Sequence, residues 1–299
     1  MICDKRHPVA PCSAEQSVRS VTRVGAANLQ VTFHGVRGST PCHGPDTVRY
    51  GGNTACVSVR AADGTLVILD LGTGVRYLGD SITERPFRGT ALVSHLHWDH
   101  VQGLPFFQPI LEKGNELDVY APRQGRRRTV KEAFDRIIAP PQFPVGLDLY
   151  SGTVRFHDLG DNEFSVGGVR VVSRFVPHVG PTLGYRLEFG GSSVAYVSDH
   201  QQPYDGSLEI PDAVRELADG VDLLIHDSQY TPSEFAEKYY FGHCTHDFAV
   251  GIAMASRAKR LALFHHDPVR TDDELDTRGA CAATALEVFA AREGLIVAV

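Results

Sequence analysis

Three histidines and one aspartate fall within six consecutive positions, in the run HLHWDH at residues 95–100. Imidazole nitrogens and carboxylate oxygens are ligands that Zn, Mn and Fe accept in proteins. Side chains two positions apart in an extended segment point to the same side, so His95 and His97 can face one cation. A turn after them lets Asp99 and His100 face a second cation. Because the run contains no cysteine, it predicts an open site for divalent metal ions and not a closed structural zinc site.

The segments around this run are short and β-rich, and glycine turns separate them. They form two groups, at residues 29–94 and 153–198, and helix candidates follow each group. Helices are expected at residues 101–111, 125–138 and 272–290, among others. Two β-rich halves that each end in helices indicate two packed sheets with helices outside, which is a layered α/β fold.

The run at residues 95–100 resembles the metal-binding signature of the metallo-β-lactamase superfamily. The resemblance covers nearly all of residues 29–298 and implies an αββα sandwich, in which two mixed β-sheets carry helices on both outer faces. It is closest to the branch that contains tRNase Z and class II cyclic-nucleotide phosphodiesterases. The features typical of this branch are the glycine turn at 72–74, the string LLIHDS at 223–228 and the string GHCT at 242–245.

The other metal ligands of this superfamily stand singly at the ends of strands. The apolar run at residues 261–264 places His265 at such an end, and the adjacent His266 stays an alternative. The resemblance implies two divalent cations, Zn or else Mn or Fe. Their expected ligands are His95, His97 and His178 for the first ion, Asp99, His100 and His265 for the second, and Asp199 shared between them.

The resemblance also implies a mechanism, in which a hydroxide that bridges the two ions attacks a phosphodiester and Asp99 orients it. His243 matches the histidine that acts on the leaving group, and it would supply the proton that a leaving alkoxide needs. His226 or Asp227 would hold His243 in place. Asp227 and Cys244 stand where tRNase Z has Glu and Ser, so the roles of these two positions stay open.

The implied function is hydrolysis of a small phosphodiester such as a cyclic nucleotide. The alternatives are hydrolysis of a lactone, ester or thioester, tRNA 3′-end processing, and a metal-containing sensor or redox protein. In tRNase Z a long arm that grips tRNA separates the positions that match His178 and Asp199, which are only 21 positions apart here. The formal net charge is −7, so we do not expect nucleic acid as a partner.

Two further groups of residues are candidates for binding the substrate. Asn53 and Thr54 are expected to hydrogen-bond the substrate or to orient Asp99. Arginines that precede a Pro-rich segment at residues 139–144 form either a lid that pairs with phosphate oxygens or a solvated helix face. These arginines are Arg123, Arg126, Arg127 and Arg128.

Residues 1–27 mix Pro, Ser, Ala, Arg and Gln without a period, and they are expected to form a loose arm before a single domain at 28–299. No apolar run approaches the roughly 20 residues of a membrane span. The N-terminus also lacks the apolar segment of a secretion signal, so a cytoplasmic location is expected. The six cysteines have no regular spacing and are expected to be free thiols. Related phosphodiesterases are often homodimers, and by that analogy a homodimer is possible.

Overall fold

The computed structural model describes residues 27–125, 128–280 and 286–299. The expected N-terminal arm lies outside this part except for Ala27, and the single domain at 28–299 stays a prediction. Within the described part, fourteen strands form two sheets, with seven α-helices around them. The strands are β1 Leu29–Gly35, β2 Cys56–Ala61, β3 Leu66–Leu69, β4 Arg88–Leu92, β5 Glu116–Pro122, β6 Thr153–Leu159, β7 Asn162–Val166, β8 Val169–Phe175, β9 Leu183–Phe189, β10 Ser192–Val197, β11 Leu223–Asp227, β12 Arg260–Phe264, β13 Glu287–Ala290 and β14 Ile296–Ala298. The helices are α1 Val75–Ser81, α2 Trp98–Val101, α3 Val130–Ile137, α4 Asp212–Ala218, α5 Pro232–Lys238, α6 His246–Ala255 and α7 Asp272–Ala280.

Both sheets have seven strands and mix parallel with antiparallel pairs. The first sheet has the order β14-β1-β2-β3-β4-β5-β6, and its strands β3 to β6 are parallel to one another. The second has the order β13-β12-β11-β10-β9-β8-β7, and its strands β10 to β13 are parallel. Parallel neighbours need crossover connections, which place helices on the faces of a sheet. The predicted sandwich of two mixed sheets is therefore confirmed.

Three apolar clusters correspond to the three interfaces between the four layers. The cluster between the sheets includes Phe33 of β1 and Phe264 of β12, whose ring centroids are 6.1 Å apart. A second cluster, with Phe107, lies beneath α1 on the outer face of the first sheet. A third, with Leu217 and Phe248, packs α4 and α6 on the outer face of the second sheet. Burial of these apolar faces drives the stacking of the layers.

The prediction of a helix at residues 101–111 is wrong. The chain forms the short helix α2 and then two 3₁₀ turns, at Leu104–Phe106 and Gln108–Leu111. Pro105 and Pro109 cause the break, because proline lacks the N–H that an α-helix interior needs and its ring clashes with the preceding turn.

The helix expected at residues 125–138 begins later, at Val130 of α3. Thr129 Oγ1 accepts a hydrogen bond from Glu132 N at 3.2 Å, and the Glu132 carboxylate accepts one from Thr129 N at 2.8 Å. This reciprocal pair is a capping box, which satisfies backbone donors at the first turn and sets the start of the helix. Arg126 and Arg127 lie outside the described residues.

The helix prediction for residues 272–290 is wrong at residues 287–290, while residues 281–285 lie outside the described part. The structure describes α7 over Asp272–Ala280, and Glu287–Ala290 form the strand β13, which pairs in parallel with β12. Pairing with β12 satisfies the backbone of this segment, and Val288 and Phe289 are residues that favour strands. The strands β7 and β14 and the helix α1 were not anticipated from the sequence.

No helix among residues 27–125, 128–280 and 286–299 is long and apolar enough to cross a bilayer. The described cysteines are free thiols, as expected, and Cys56 and Cys244 are buried while Cys42 is partly exposed. The remaining three cysteines, Cys3, Cys12 and Cys281, lie outside the described residues.

Candidate metal centre

The predicted site residues converge where strands of both sheets end at one edge of the sandwich. His95 and His97 follow β4, and Asp99 and His100 lie on α2, which begins directly after His97. Parallel strands place their carboxyl ends at the same edge, so segments distant in sequence meet there. From the second sheet come His178 after β8, Asp199 after β10 and His265 after β12.

The first group of donors is His95, His97 and His178, whose donor nitrogens all lie within 4.8 Å of one another. His178 Nε2 lies 3.2 Å from His97 Nδ1. His178 Nδ1 donates to the carbonyl of Gly242 at 2.6 Å. This contact sets the tautomer of His178, because it leaves Nε2 without a proton and directed at the other two imidazoles.

The second group of donors is Asp99, His100 and His265. Asp99 Oδ2 lies 3.2 Å from His100 Nε2 and 3.1 Å from His265 Nε2. His265 Nδ1 donates to Gln229 Oε1 at 2.8 Å, so its Nε2 also faces the group. The backbone N–H of Ser39 donates to Asp99 Oδ2 at 2.7 Å and fixes this carboxylate.

Asp199 lies between the two groups. Its Oδ1 is 3.7 Å from His178 Nε2 and 3.4 Å from His265 Nε2. Its Oδ2 is 3.3 Å from His100 Nε2. One carboxylate thus contacts nitrogens of both donor groups. A ligand shared by two ions, as expected for Asp199, requires this arrangement.

The donor set fits divalent cations. His95 Nε2 and Asp199 Oδ2 are buried and have no hydrogen-bond partner among the described residues. Unpartnered buried polar atoms are costly, and coordination of a cation would remove that cost. Burial lowers the pKa of His95 well below its usual value and that of His178 to about 4, so both are neutral, which is the form of imidazole that binds metals.

The charged residues of the site point to the same conclusion. Burial disfavours the protonated form of His265, yet the carboxylates of Asp199 and Asp99 outweigh burial and raise its pKa to about 9. They also raise the pKa of His100 well above its usual value against the same effect of burial. The two buried carboxylates thus stabilise positive charge at His100 and His265. A bound metal ion would provide this charge and displace the protons of the two imidazoles.

Asp70 anchors His100 and was not identified from the sequence as a site residue. It is fully buried, and its Oδ2 accepts hydrogen bonds from His100 Nδ1 and from the hydroxyls of Ser94 and Tyr196, all at 2.7 to 2.8 Å. Its backbone has a φ of +62°, which non-glycine residues rarely adopt. The signal in the sequence is the aspartate between two apolar residues directly before the turn at 72–74.

The structure distinguishes between the two adjacent histidines at the end of β12. His265 points into the second donor group, whereas His266 Nε2 donates to the carbonyl of Ala291 at 2.9 Å. Burial lowers the pKa of His266 to about 3. Gly38 packs directly against the imidazole of His265. A Cβ at position 38 would lie only 2.2 Å from His265 Cε1. The close approach explains why a glycine stands there.

His243 lies beside the donor groups, with its ring centroid 4.8 Å from that of His265. Its Nδ1 donates to Asp227 Oδ2 at 2.9 Å. His226 and Asp227 were the two candidates for holding His243 in place, and Asp227 is the one that contacts it. His226 instead faces His200, with 3.0 Å between its Nε2 and His200 Nδ1.

The expected substrate contacts have other partners in the structure. The backbone N–H and the side-chain amide of Asn53 both donate to the Glu293 carboxylate. Thr54 Oγ1 accepts from the backbone N–H of Thr73 at 2.9 Å. The Asp99 carboxylate accepts a hydrogen bond from Ser39 N, and the expected role of Asn53 and Thr54 in binding the substrate or orienting Asp99 stays a prediction.

Described residues of the segment 121–150 pack beside the metal-binding run, and the choice between a lid and a solvated helix face stays open. The ring of Phe143 contacts Phe106 with centroids 5.8 Å apart, and Tyr150 Oη donates to the carbonyl of Pro105. The guanidinium of Arg123 lies 5.5 Å from the ring centroid of Phe175. These contacts place the segment against residues 105–106 and tie Arg123 to an aromatic ring.

Comparisons with known proteins agree with this fold. Ribonuclease Z of Natronomonas pharaonis is 27% identical over 277 residues, which cover 80% of this chain and 87% of that protein. A solved structure described as a new diphosphatase from the PhnP family superposes with a TM-score of 0.67 at 22% identity, covering 90% of this chain and 96% of that one. Human tRNase Z, short form, superposes with a TM-score of 0.65 at 19% identity, covering 90% of this chain and 98% of that one.

Two packed mixed sheets with a cluster of histidines and aspartates at their strand ends define the fold of αββα metallohydrolases. Residues 86–266, more than half of the chain, match the Beta-lactamase superfamily domain. The chain belongs to the metallo-β-lactamase superfamily and is a hydrolase that resembles ribonuclease Z.

Proposed function

We propose that this protein hydrolyses small phosphodiesters, such as cyclic nucleotides, with two divalent cations. The observation that carries the proposal is the position of Asp199 between two groups of three donors, with His243 and its partner Asp227 beside them. Such a site offers places for two cations, a nucleophile and a proton donor within one edge of the fold.

The two donor groups and Asp199 supply the proposed metal ligands. Zn is the first choice for the metal, because imidazole and carboxylate donors without thiolate suit it, and Mn or Fe fit the same donors. When bound, two divalent cations lower the pKa of a coordinated water and offset the negative charge of the phosphate. The proposed ligands are His95, His97 and His178 for the first ion, Asp99, His100 and His265 for the second, and Asp199 for both.

The chain's own residues have separate tasks in this proposal. Asp99 is a catalytic residue that orients the attacking water, and Ser39 N holds its carboxylate in place. His243 donates a proton to the leaving oxygen. Asp227 positions His243, because an acceptor at Nδ1 directs the opposite nitrogen, Nε2, away from the Asp227 carboxylate.

Processing of tRNA is the second candidate, since the matching relative from Natronomonas pharaonis is a ribonuclease Z. The segment between His178 and Asp199 weighs against it. The strands β9 and β10 take up most of this segment, and they pair directly as an antiparallel hairpin. An arm for gripping tRNA therefore has no place there, and a small substrate is the better proposal.

Parallel assays of two phosphodiesters test the proposed function. The metal-loaded protein should hydrolyse bis(p-nitrophenyl) phosphate and 3′,5′-cyclic AMP. His243→Ala should lose about 10²-fold or more of the cyclic AMP activity, because an alkoxide leaving group needs a proton, and far less with p-nitrophenolate, which leaves unprotonated. His157→Ala, on β6, is the matched control.

A precursor tRNA with a 3′ trailer, a lactone and a thioester complete the test. Turnover of a lactone or thioester with neither phosphodiester cleaved would contradict the proposal and favour an acyl substrate. Cleavage of the precursor tRNA with no activity on cyclic AMP would favour the second candidate.

A further inference from the structure

Four aromatic side chains form an exposed cluster next to the candidate metal centre. Tyr204, Tyr239, Tyr240 and Phe241 are 70%, 38%, 59% and 53% exposed. The ring centroids of Tyr204 and Tyr239 are 4.5 Å apart, and those of Tyr240 and Phe241 are 4.7 Å apart. Single exposed aromatic residues are ordinary, but a contiguous group of them marks a surface that binds something.

The chain connects this aromatic cluster directly to the donor groups. Phe241 is followed by Gly242, whose carbonyl accepts the hydrogen bond from His178 Nδ1, and then by His243. Gly242 has a φ of +87°, and a Cβ there would lie 2.7 Å from His178 Nδ1. Consecutive Cα atoms are about 3.8 Å apart, so the backbone of Phe241 lies within about 8 Å of that of His243.

The same side of the site is open to solvent. Of the first donor group, His97 is the exposed member, and its Nδ1 lies 3.2 Å from His178 Nε2. The next residue, Trp98, is 53% exposed. A substrate that reaches the donor atoms at His97 and His178 therefore enters beside the aromatic cluster.

The charges around the cluster limit what it can bind. Residues 199–214 contain no Lys or Arg, and residues 232–250 contain only Lys238. The ammonium of Lys238 lies 3.6 Å from Asp267 and 5.5 Å from the ring centroid of Tyr230, so it has partners already. A surface that follows a polynucleotide needs clustered cations for the phosphates, and this one lacks them.

We propose that Tyr240 and Phe241, with Tyr239 and Tyr204 beside them, form a stacking surface for the base of a nucleotide whose phosphodiester lies at the metal centre. This inference rests on the proposed function and assigns the residues that select the substrate. Stacking on an aromatic ring suits every base, because each presents a π-face. The surface thus prefers a nucleoside ester to a phosphodiester of equal charge that has no base.

Two substrates with the same leaving group test this preference. Thymidine 5′-(p-nitrophenyl phosphate) carries a base, and methyl p-nitrophenyl phosphate does not. The double variant Tyr240→Leu, Phe241→Leu should lower kcat/KM for the thymidine ester about tenfold, through KM, because stacking is lost while apolar volume stays. Its activity on the methyl ester should not change.

Two control variants separate stacking from general effects of substitution. Tyr240→Phe keeps the ring and should keep the preference for the thymidine ester. Tyr77→Leu replaces a tyrosine on α1 that is as exposed as Phe241, 53% in both cases, and it should alter neither substrate.

A binding measurement gives a readout that does not depend on turnover. Trp98 is the only tryptophan of the chain, so its fluorescence reports on the entrance to the site. In zinc-loaded protein, adenosine 5′-monophosphate should bind about tenfold more tightly than ribose 5-phosphate. In the double variant the two affinities should become equal.

Two results would overturn the stacking surface. One is an unchanged substrate ratio and an unchanged affinity ratio in the double variant. The other is a sedimentation change from dimer to monomer on the same substitutions, which would mean that a second copy of the chain covers the aromatic cluster. If neither ester is hydrolysed and a thioester is, the proposed function fails, while the comparison of adenosine 5′-monophosphate with ribose 5-phosphate still decides the stacking surface.

Discussion

Asp70 of the first sheet holds His100 by a hydrogen bond of 2.7 Å between its Oδ2 and His100 Nδ1, and both side chains are fully buried. This hydrogen bond leaves His100 Nε2 facing two carboxylates. It lies 3.2 Å from Asp99 Oδ2 and 3.3 Å from Asp199 Oδ2. A carboxylate behind a histidine fixes the orientation of the ring and raises its basicity as a metal ligand. Asp70 is thus a positioning residue for the second donor group.

Replacing Asp70 with Asn should weaken binding of the second metal ion about 10 to 100-fold, because the amide does not raise the basicity of His100 as the carboxylate does. Titration of the metal-free variant with zinc against a competing chelator measures this. The matched control is Asp222→Asn, since Asp222 also accepts from a backbone N–H and a hydroxyl, both of Ser193, but contacts no histidine. Equal zinc affinity of the Asp70 variant and wild type would remove this role.

Replacing Asp227 with Asn should slow cyclic AMP hydrolysis about 10 to 100-fold and leave p-nitrophenyl esters nearly unaffected. The reason is that His243 loses the carboxylate that accepts from its Nδ1 and orients its ring. Rates measured across pH for both substrates check this. Asp118→Asn is the control, because Asp118 pairs with His157 at 2.8 Å on the surface of the first sheet. A uniform loss on both substrates would indicate damage to the metal centre instead.

Substitutions at the two adjacent histidines should differ in the amount of bound metal. His265→Gln should retain about one zinc ion per chain, because it removes a donor from the second group only. His266→Gln should retain two and lose about 1 kcal/mol of unfolding free energy, since His266 donates a buried hydrogen bond to Ala291. Elemental analysis after gel filtration and urea unfolding measure these quantities. Loss of one ion in the His266 variant alone would reverse the assignment.

The ion pair between Glu234 and Arg270 should make stability depend on acidity. Burial opposes ionisation of Glu234, yet hydrogen bonds from Arg270 and Thr231 outweigh it and lower its pKa from 4.5 to about 2. A pKa lower in the folded than in the unfolded chain means that this stabilisation is complete above pH 4.5 and is lost as the pH falls towards 2.

Glu234→Gln should therefore lower the unfolding free energy at pH 7 by about 1 kcal/mol, and by less at pH 3. Glu132→Gln is a close control, because Glu132 closes the capping box of α3 with Thr129 as Glu234 closes that of α5 with Thr231. Urea unfolding of both variants and wild type at the two pH values gives the differences. An effect of equal size at pH 7 and pH 3 would exclude the ion pair as the cause.

Local spacing made part of the site predictable. The run at residues 95–100 places four donors within one strand end and one helical turn, so their convergence follows from the short range of the chain. His178, Asp199 and His265 were expected from the resemblance to the superfamily, and the structure brings all three to these donors. The fold class was predictable because two β-rich groups of residues, each followed by helix candidates, are local patterns of the sequence.

Other features depend on contacts between distant residues, and the sequence did not reveal them. The role of Asp70 requires that β3 lie beside β4, which brings Asp70 to His100 thirty positions further on. The strand β13 exists because β12 offers it a partner. The hydrogen bond between Asn53 and Glu293 joins residues 240 positions apart, and no local pattern indicates it.

By itself the sequence determined which residue types carry the chemistry and where strands and turns present them, because alternation along a strand and the ends of apolar runs are local properties. The tertiary structure decided which donors lie close together, that His265 and not His266 enters the cluster, and that Asp227 rather than His226 contacts His243. These outcomes depend on how two sheets pack face to face. Distances across that interface are set by the summed burial of many side chains, which no local pattern encodes.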